Sequence, residues 1–540
     1  MHINGAMMRL FHSVIWGLRE LPQQLRWSYL PPLMVYVAAG VSGLTTIVGT
    51  FFIKDYLNLS AAFLASLGFW AGLPWALKMP LGHLVDLIWK YKAYLVGLGA
   101  AVITASLLIM HGLIGYTGFM ASIMPIETWF VTSVILGPVG YVIQDVVADA
   151  MTVEAVPEQD ENGDDITPEQ LKIMHTTMQT LGRFAIIGGT VLVALANVIM
   201  FTDVDSLDVA ARIGLYANIY LYALIIPVIS IAGVLLARLQ HSYQNARARQ
   251  SYHTTTSPHQ RPEINWSILL GSLVFVVFSL SVGTSGISYA QEIVFAGSVG
   301  VILFLMNQLV RFLTPEKRLV IVGTAIIIFT FRAMPSPGPG LTWFEIDQLL
   351  FNEQFLSTLS LIASTLTLAG IILLRPFMAN NSIARIVVIL SIAGAALFLP
   401  SIGMYYGLHE WTATYSGGIV DAKFIAIINT AVESPLGQVS MIPLLAWIAR
   451  NAPVRMKATF FAVFASFTNL ALSASALGTK YLNEAFVVTR EVVDKLSGAV
   501  VTTADYSKLG MLLITVLLIT VVVPIGMVAI IQNSRFKTVD

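Results

Sequence analysis

Residues 140–154 read GYVIQDVVADAMTVE. Asp145 and Asp149 lie four positions apart, near the end of an apolar run that begins near Trp129. On a helix that spacing stacks both carboxylates on one face. An acid inside a membrane span is costly, and it faces an internal cavity or a partner. The next apolar run, from about Met174 to Met200, answers with Gln179 and Arg183, again four apart. Two readings fit these four residues. They line a polar site inside a helical bundle, or they form a charge pair that locks two helices together. The first is favoured, because ionisable groups within a membrane mark function by default.

The composition around this stretch is that of a polytopic helical membrane protein. Of 540 residues, 56% are hydrophobic and 11% are charged, and the mean hydropathy is +0.77. Soluble domains carry about 25% charged residues. Thirty Lys and Arg balance thirty Asp and Glu, so no net field argues for a nucleic-acid partner. The chain lacks cysteine, which excludes disulfides, thiolate metal sites and Cys nucleophiles. Its nine histidines show no HExxH spacing, and no nucleophile–base or phosphate-binding pattern appears. An enzyme, a resident metal and a cofactor are therefore not expected. Residues 1–28 carry Arg9, Arg19 and Arg26 among Trp and Leu. They read as a cytoplasmic amphipathic lead-in to an uncleaved first span.

Apolar runs of spanning length fall near 30–53, 60–79, 93–115, 127–150, 174–200 and 213–237. Eight more lie near 266–286, 290–312, 319–350, 355–374, 384–406, 420–449, 457–482 and 508–532. The polar stretch 238–264, with Arg247, Arg249, Pro258 and Pro262, reads as a linker. The expected class is an all-α membrane protein with 14 transmembrane helices arranged as six, two and six. An N-terminal six-helix bundle occupies 1–237, the cytoplasmic linker 238–264, an inserted two-helix hairpin 265–312, and a C-terminal six-helix bundle 313–540. Pro335, Pro337 and Pro339 interrupt the run 319–350, which predicts a broken helix there. With a cytoplasmic N terminus, twenty-one of the thirty Lys and Arg residues fall in inside segments and seven in outside segments. That bias places both termini in the cytoplasm. Thr167, Pro168 and Gln170 read as N-cap, first-turn proline and capping-box partner of the fifth span. The outside loop 483–507 reads as a short helix on the membrane surface.

In the loop after the second span, Gly82, Asp86 and Lys90 fit the pattern Gly-x-x-x-Asp-x-x-x-Lys, and with Lys78 they make the candidate gating set. Gly lets two helices approach closely, and an Asp there can cap a helix or pair with a cation in the other half. Such a pair would close an inside gate in one state and release it in another. In the second half, Arg332 precedes the proline cluster, and Glu433, Pro435 and Gln438 interrupt the run 420–449. Glu433 is the cavity candidate there, while Asn469 reads as helix-packing glue.

The blocks FFIKDYLNLS, LPWALKMPLG, QDVVADAMTVE, FRAMPSPGPG, GQVSMIPLLAWIA and ATFFAVFASFTNLA resemble those of the folate–biopterin transporter family, from about residue 34 to 530. The resemblance implies the major facilitator fold. It implies transport of folates, pterins or, in some branches, other metabolites such as S-adenosylmethionine. It matches Asp145 and Asp149 to the family's paired acids, and Arg183 to a cation position on the fifth span. The substrate-binding set is then Asp145, Asp149, Gln179, Arg183, Arg332, Glu433 and Gln438, with Asp145, Asp149 or Glu433 carrying protons. The expected protein is a monomeric, proton-coupled secondary transporter in a bacterial inner membrane or plasma membrane, with lipid and a pterin or folate as partners. A transporter of S-adenosylmethionine or a nucleoside is the rival reading, as is a non-transporting or pigment-handling membrane protein on the same fold.

Overall fold

The computed structural model describes the backbone of residues 26–76, 78, 81, 85, 88, 91–157, 166–250, 266–311, 313–374, 377–378, 381–436, 439, 457–493 and 500–538. In chain order the helices are α1 (Leu30–Val41), α2 (Thr46–Tyr56), α3 (Ala61–Ala76), α4 (Lys92–Gly115), α5 (Thr117–Ile123) and α6 (Ile126–Glu154). Then come α7 (Pro168–Met200), α8 (Val209–Tyr222), α9 (Ile225–Gln250), α10 (Trp266–Thr284), α11 (Ala290–Val310), α12 (Pro315–Arg332) and α13 (Pro339–Asp347). The last are α14 (Glu353–Leu373), α15 (Ile383–Tyr405), α16 (Leu408–Tyr415), α17 (Ala422–Glu433), α18 (Lys457–Ala485) and α19 (Leu509–Gln532). Helices dominate because a lipid-spanning backbone must satisfy its own hydrogen bonds. Among the described residues, nine helical stretches are long and apolar enough to cross a membrane.

Several elements follow from local chemistry. Pro31 and Pro32 sit in the first turn of α1, where a missing N–H costs nothing. The first span does not run straight: a 3-10 turn, Ser42–Thr45, separates α1 from α2. Thr167 caps α7, accepting from the Gln170 N–H (3.4 Å) while its hydroxyl donates to Gln170 Oε1 (3.2 Å). The proline-rich run breaks as expected into α12 and α13, with residues 333–338 outside any helix between them. Gly338 takes φ +74°, and a Cβ there would come 2.8 Å from Asn483 Nδ2, so only glycine fits.

Two expectations are corrected. Helix α9 continues to Gln250, into the stretch assigned to the linker; nothing in 238–250 breaks it, because the prolines begin only at Pro258. The run 420–449, by contrast, is interrupted, as its residues predict. Helix α17 ends at Glu433 and a 3-10 turn, Ser434–Leu436, follows around Pro435, which cannot continue the α-helical ladder. The loop after α18 is not a surface helix. Val492–Val493 and Val500–Thr502 pair as a short antiparallel ribbon, β1 and β2, as β-branched runs favour.

By contact the chain forms two compact units. The first comprises Met1–Thr45, Pro80–Asn197 and Asp208–Gly271, and the second comprises Thr46–Met79, Val198–Leu207 and Ser272–Asp540.

Within the first unit, glycines set helix crossings. A Cβ on Gly99 would lie 2.8 Å from the Gly140 carbonyl oxygen, and one on Gly140 would lie 2.7 Å from that of Gly99. Small residues of this kind let membrane helices pack backbone to backbone. Ser106 and Ser133 extend the same α4–α6 seam, each hydroxyl donating to the other's carbonyl at 2.8 and 2.9 Å. Gln144 Nε2 donates to the Val96 carbonyl (3.2 Å), and its Oε1 accepts from Ser230 on α9 (2.9 Å). Gly40 and Gly189 make the equivalent crossing of α1 and α7, with a Cβ on Gly189 only 2.9 Å from the Gly40 Cα.

In the second unit, α10 and α11 pack on α3 and α18 through Phe69, Leu73, Val294 and Leu477. Gln291 bonds the Ser66 carbonyl (3.0 Å), and Glu292 pairs with Lys480 (3.1 Å). Helices α13, α15, α17 and α19 share the core of Phe344, Ile402, Ala426 and Leu512. Gly140→Val forces α4 and α6 apart and should cost about 2 kcal/mol. The expected outcome is a lowered melting temperature in detergent; an unchanged melting temperature would show that the seam does not bear on stability.

Candidate functional site

The crossing of α1 with α7 brings Tyr36 onto the acids of α6. Gly182 presents no side chain to that ring: a Cβ there would sit 2.8 Å from Tyr36 Cε2. The ring therefore packs closely against α7 at Gly182, and its hydroxyl donates to Asp149 Oδ1 at 2.6 Å. Asp149, Asp145 and Arg183 all act electrostatically on Tyr36. The two acids of α6 and the cation of α7 thus converge on one phenol within the first unit. Around them pack Leu33, Ala148, Met178 and Leu181, together with Tyr36 itself. Both acids and Arg183 are half-buried rather than sealed, so a polar group of either charge has something to meet there. The site has acceptor oxygens, a guanidinium fork and an aromatic ring within one apolar wall.

The other residues expected from sequence fall elsewhere. The backbone of Gln179 lies on α7, one turn before Arg183; its side chain is outside the described residues. Arg332, in the second unit, ends α12 just before the break. Glu433 is exposed at the end of α17. There Thr367 donates to the Ser434 carbonyl (2.9 Å), and a Cβ on Gly370 would meet the Pro435 carbonyl oxygen at 2.4 Å. The break beside Glu433 is therefore held against α14. Gln438, Gly82, Asp86 and Lys90 lie outside the described residues. Lys78 is half-buried and helical. Lys92, from the same loop, pairs with Glu154 and so joins the start of α4 to the end of α6. Asn469 donates to the Trp75 carbonyl (3.2 Å), tying α18 to α3.

A cavity of about 390 Å³ opens in the second unit, lined by Asn58, Trp343, Asn483, Glu484, Val488 and Arg490 among others. None of the substrate-binding or gating residues expected from the sequence is among its described lining; Asn58, Leu59 and Ser60 of the block FFIKDYLNLS are. Among the described residues no group of His, Asp and Glu is arranged to hold a metal ion.

Sequence reasoning missed Tyr36 and Gln144. Tyr36 sits in an apolar run with no charge beside it, and only the positions of Gly40, Gly182 and Gly189 hint that α1 meets α7 there. Gln144 adjoins Asp145 but points to a different neighbour, because successive helical residues face about 100° apart.

The chain matches the sequence model of the BT1 family over residues 39–540. It is 21% identical over 483 residues to the folate-biopterin transporter of Synechocystis sp., covering 88% of this chain and 79% of that one. It is 24% identical over 183 residues to the putative folate transporter 2 of Plasmodium berghei, covering 33% and 37%. Among solved structures, it is similar to a POT family transporter in complex with a thioalcohol-conjugated peptide, with a TM-score of 0.59, 12% identity and coverage of 94% and 96%. It is also similar to the nucleoside transporter NupG, with a TM-score of 0.51, 13% identity and coverage of 93% and 99%. These likenesses show the helical fold of major facilitator-type transporters. A match across nearly the whole length, on a many-helix apolar chain, means that this protein belongs to the BT1 family of folate-biopterin transporters.

Proposed function

We propose that this chain carries folates or pterins across a membrane by alternating access, coupled to protons, and that Asp145, Asp149, Gln179 and Arg183 meet the substrate. The observation that carries this reading is the hydrogen bond from Tyr36 to Asp149, with Asp145 and Arg183 acting on the same ring. A pterin offers two parallel N–H donors, its 2-amino group and N3–H, and a carboxylate accepts both. A guanidinium takes the glutamate carboxylates of a folate or stacks on the ring. The folate-related names of the relatives support this substrate class.

Protons enter through the same chemistry. A carboxylate in an apolar wall that loses a partner binds a proton more readily. Tyr36 can donate to ionised Asp149, and a substrate N–H edge competes for that oxygen. Asp145, Asp149 and, in the second half, Glu433 with Arg332 and Gln438 are the groups we assign to this exchange. Lys78, Gly82, Asp86 and Lys90 form the inside gate. The layout we assign is fourteen spans as six, two and six, in a monomer with both termini in the cytoplasm of a plasma or bacterial inner membrane.

Asp149→Asn keeps the shape of the site and removes its charge. It should abolish folate uptake into vesicles while leaving expression and melting temperature near those of the parent; full uptake would make the acids structural. Tyr36→Phe removes one charge-assisted hydrogen bond, worth about 1–2 kcal/mol. It should raise the KM for folate about tenfold or shift the pH profile of uptake, and a variant that does neither would remove Tyr36 from the site. A protonophore should collapse uptake and its accompanying acidification of the lumen. Uptake indifferent to the proton gradient would exclude symport.

A further inference from the structure

Helix α2 ends in a turn where the Ile53 carbonyl still accepts the Leu57 N–H (3.3 Å) and the carbonyls after it lie past the last helical N–H. Arg490, from the loop after α18, covers them. Its Nε donates to the Lys54 carbonyl (2.7 Å), Nη1 to that of Leu59 (3.1 Å) and Nη2 to that of Ile53 (2.7 Å), and Nη2 also bonds the Leu57 carbonyl. The guanidinium lies 4.2 Å from the centroid of the Trp343 ring on α13 and is only 2% exposed. One turn along α13 from Trp343, Asp347 accepts from Lys54 at 2.6 Å and from the Tyr506 hydroxyl at 2.6 Å. Three segments, 53–59, 343–347 and 490–506, are thus joined by one polar contact set within the second unit.

This set differs from an ordinary surface ion pair. Among the described residues Arg490 makes no salt bridge; its donors go to backbone oxygens at the negative end of a helix. Burial pulls its guanidinium down to about 10, opposed by the nearby Asp55, Tyr506 and Asp347, so it remains charged at neutral pH. A charged, desolvated group with four carbonyl partners is stable either fully engaged or fully hydrated. Partial separation leaves buried polar atoms unmet.

We propose that Arg490 is the positioning residue of a latch: it holds the 53–59 turn against α13 so that Lys54 meets Asp347, and the latch opens and closes in each transport cycle. The cyclic role rests on the alternating access proposed above, in which 53–59 belongs to the first six spans and the other two segments to the last six. Arg490 touches no substrate in this scheme. Lysine cannot replace it, because a single ammonium cannot span carbonyls fanned around a planar fork.

The absence of cysteine from the chain makes thiol labelling a clean test. Ala61, the first residue of α3, is 2% exposed and lies beside the turn. Ala61→Cys in otherwise unaltered full-length protein should react slowly with a membrane-impermeant maleimide. Adding Arg490→Met should speed labelling at least about tenfold, and Arg490→Lys should fall between the two, as expected when a local opening is made easier. Folate uptake in Arg490→Met should lose kcat while keeping KM. Labelling at the parent rate in a folded Arg490→Met protein would overturn the latch. If that variant fails to fold, Lys54→Met and Asp347→Asn give the same readout: each should label about threefold faster or more, and parent rates in both would overturn it. Labelling needs no substrate, so faster labelling alongside a parent protein that takes up no folate would sink the substrate reading and leave the latch standing.

Discussion

A carboxylate at membrane depth has to be answered by another group, because hydrocarbon supplies no water to hydrate it. In this chain Asp149 is answered by the Tyr36 hydroxyl, and the first unit is built so that the two can meet. Gly40 and Gly189 let α1 and α7 cross backbone to backbone. Gly182 leaves room for the phenol ring between them. The α4–α6 seam at Gly99 and Gly140 holds the helix that bears both acids. The site is therefore a consequence of helix crossings made by residues with no polar chemistry of their own.

The second unit solves a different problem. Its helices are interrupted, at 333–338 and at 434–436, and each interruption frees backbone groups that lipid cannot satisfy. Neighbouring side chains take them up. Thr479 accepts from the Ser336 N–H (3.0 Å), Asn483 donates to the Pro337 carbonyl (3.2 Å), and Thr367 donates to the Ser434 carbonyl. Arg490 does the same for the end of α2. Irregular backbone with protein partners is where carriers place moving parts, and these breaks lie beside Arg332 and Glu433.

The fold was legible in the sequence because its signals are long. Runs of twenty apolar residues, prolines at 335, 337 and 339, and the Thr167–Gln170 cap each act locally, and the helices start and break where those residues say. The site was legible in part. Asp145, Asp149 and Arg183 stand out because charge is rare in such runs. Tyr36 did not, since an aromatic in an apolar span has many duties and its partner lies more than a hundred residues away in sequence. Arg490 was hidden for a related reason. It sits in a polar loop among other charges, where nothing local marks it as the buried one. The ribbon of 492–493 and 500–502 was misread because Val492, Val493 and Leu496 among charges fit a helix face as well as a strand.

The central claim is that acids and a cation gathered on Tyr36 form a binding site for a pterin ring system. The most direct test is titration of the purified protein with folate, pterin, S-adenosylmethionine and a nucleoside, following tryptophan fluorescence, in the parent and in Asp145→Asn/Asp149→Asn. The account predicts saturable binding of folate or pterin to the parent, at least about tenfold weaker in the double variant, a loss of 1.4 kcal/mol or more, and no saturable response to the adenosyl compounds. Equal affinity in the two proteins, or saturation by S-adenosylmethionine alone, would contradict it.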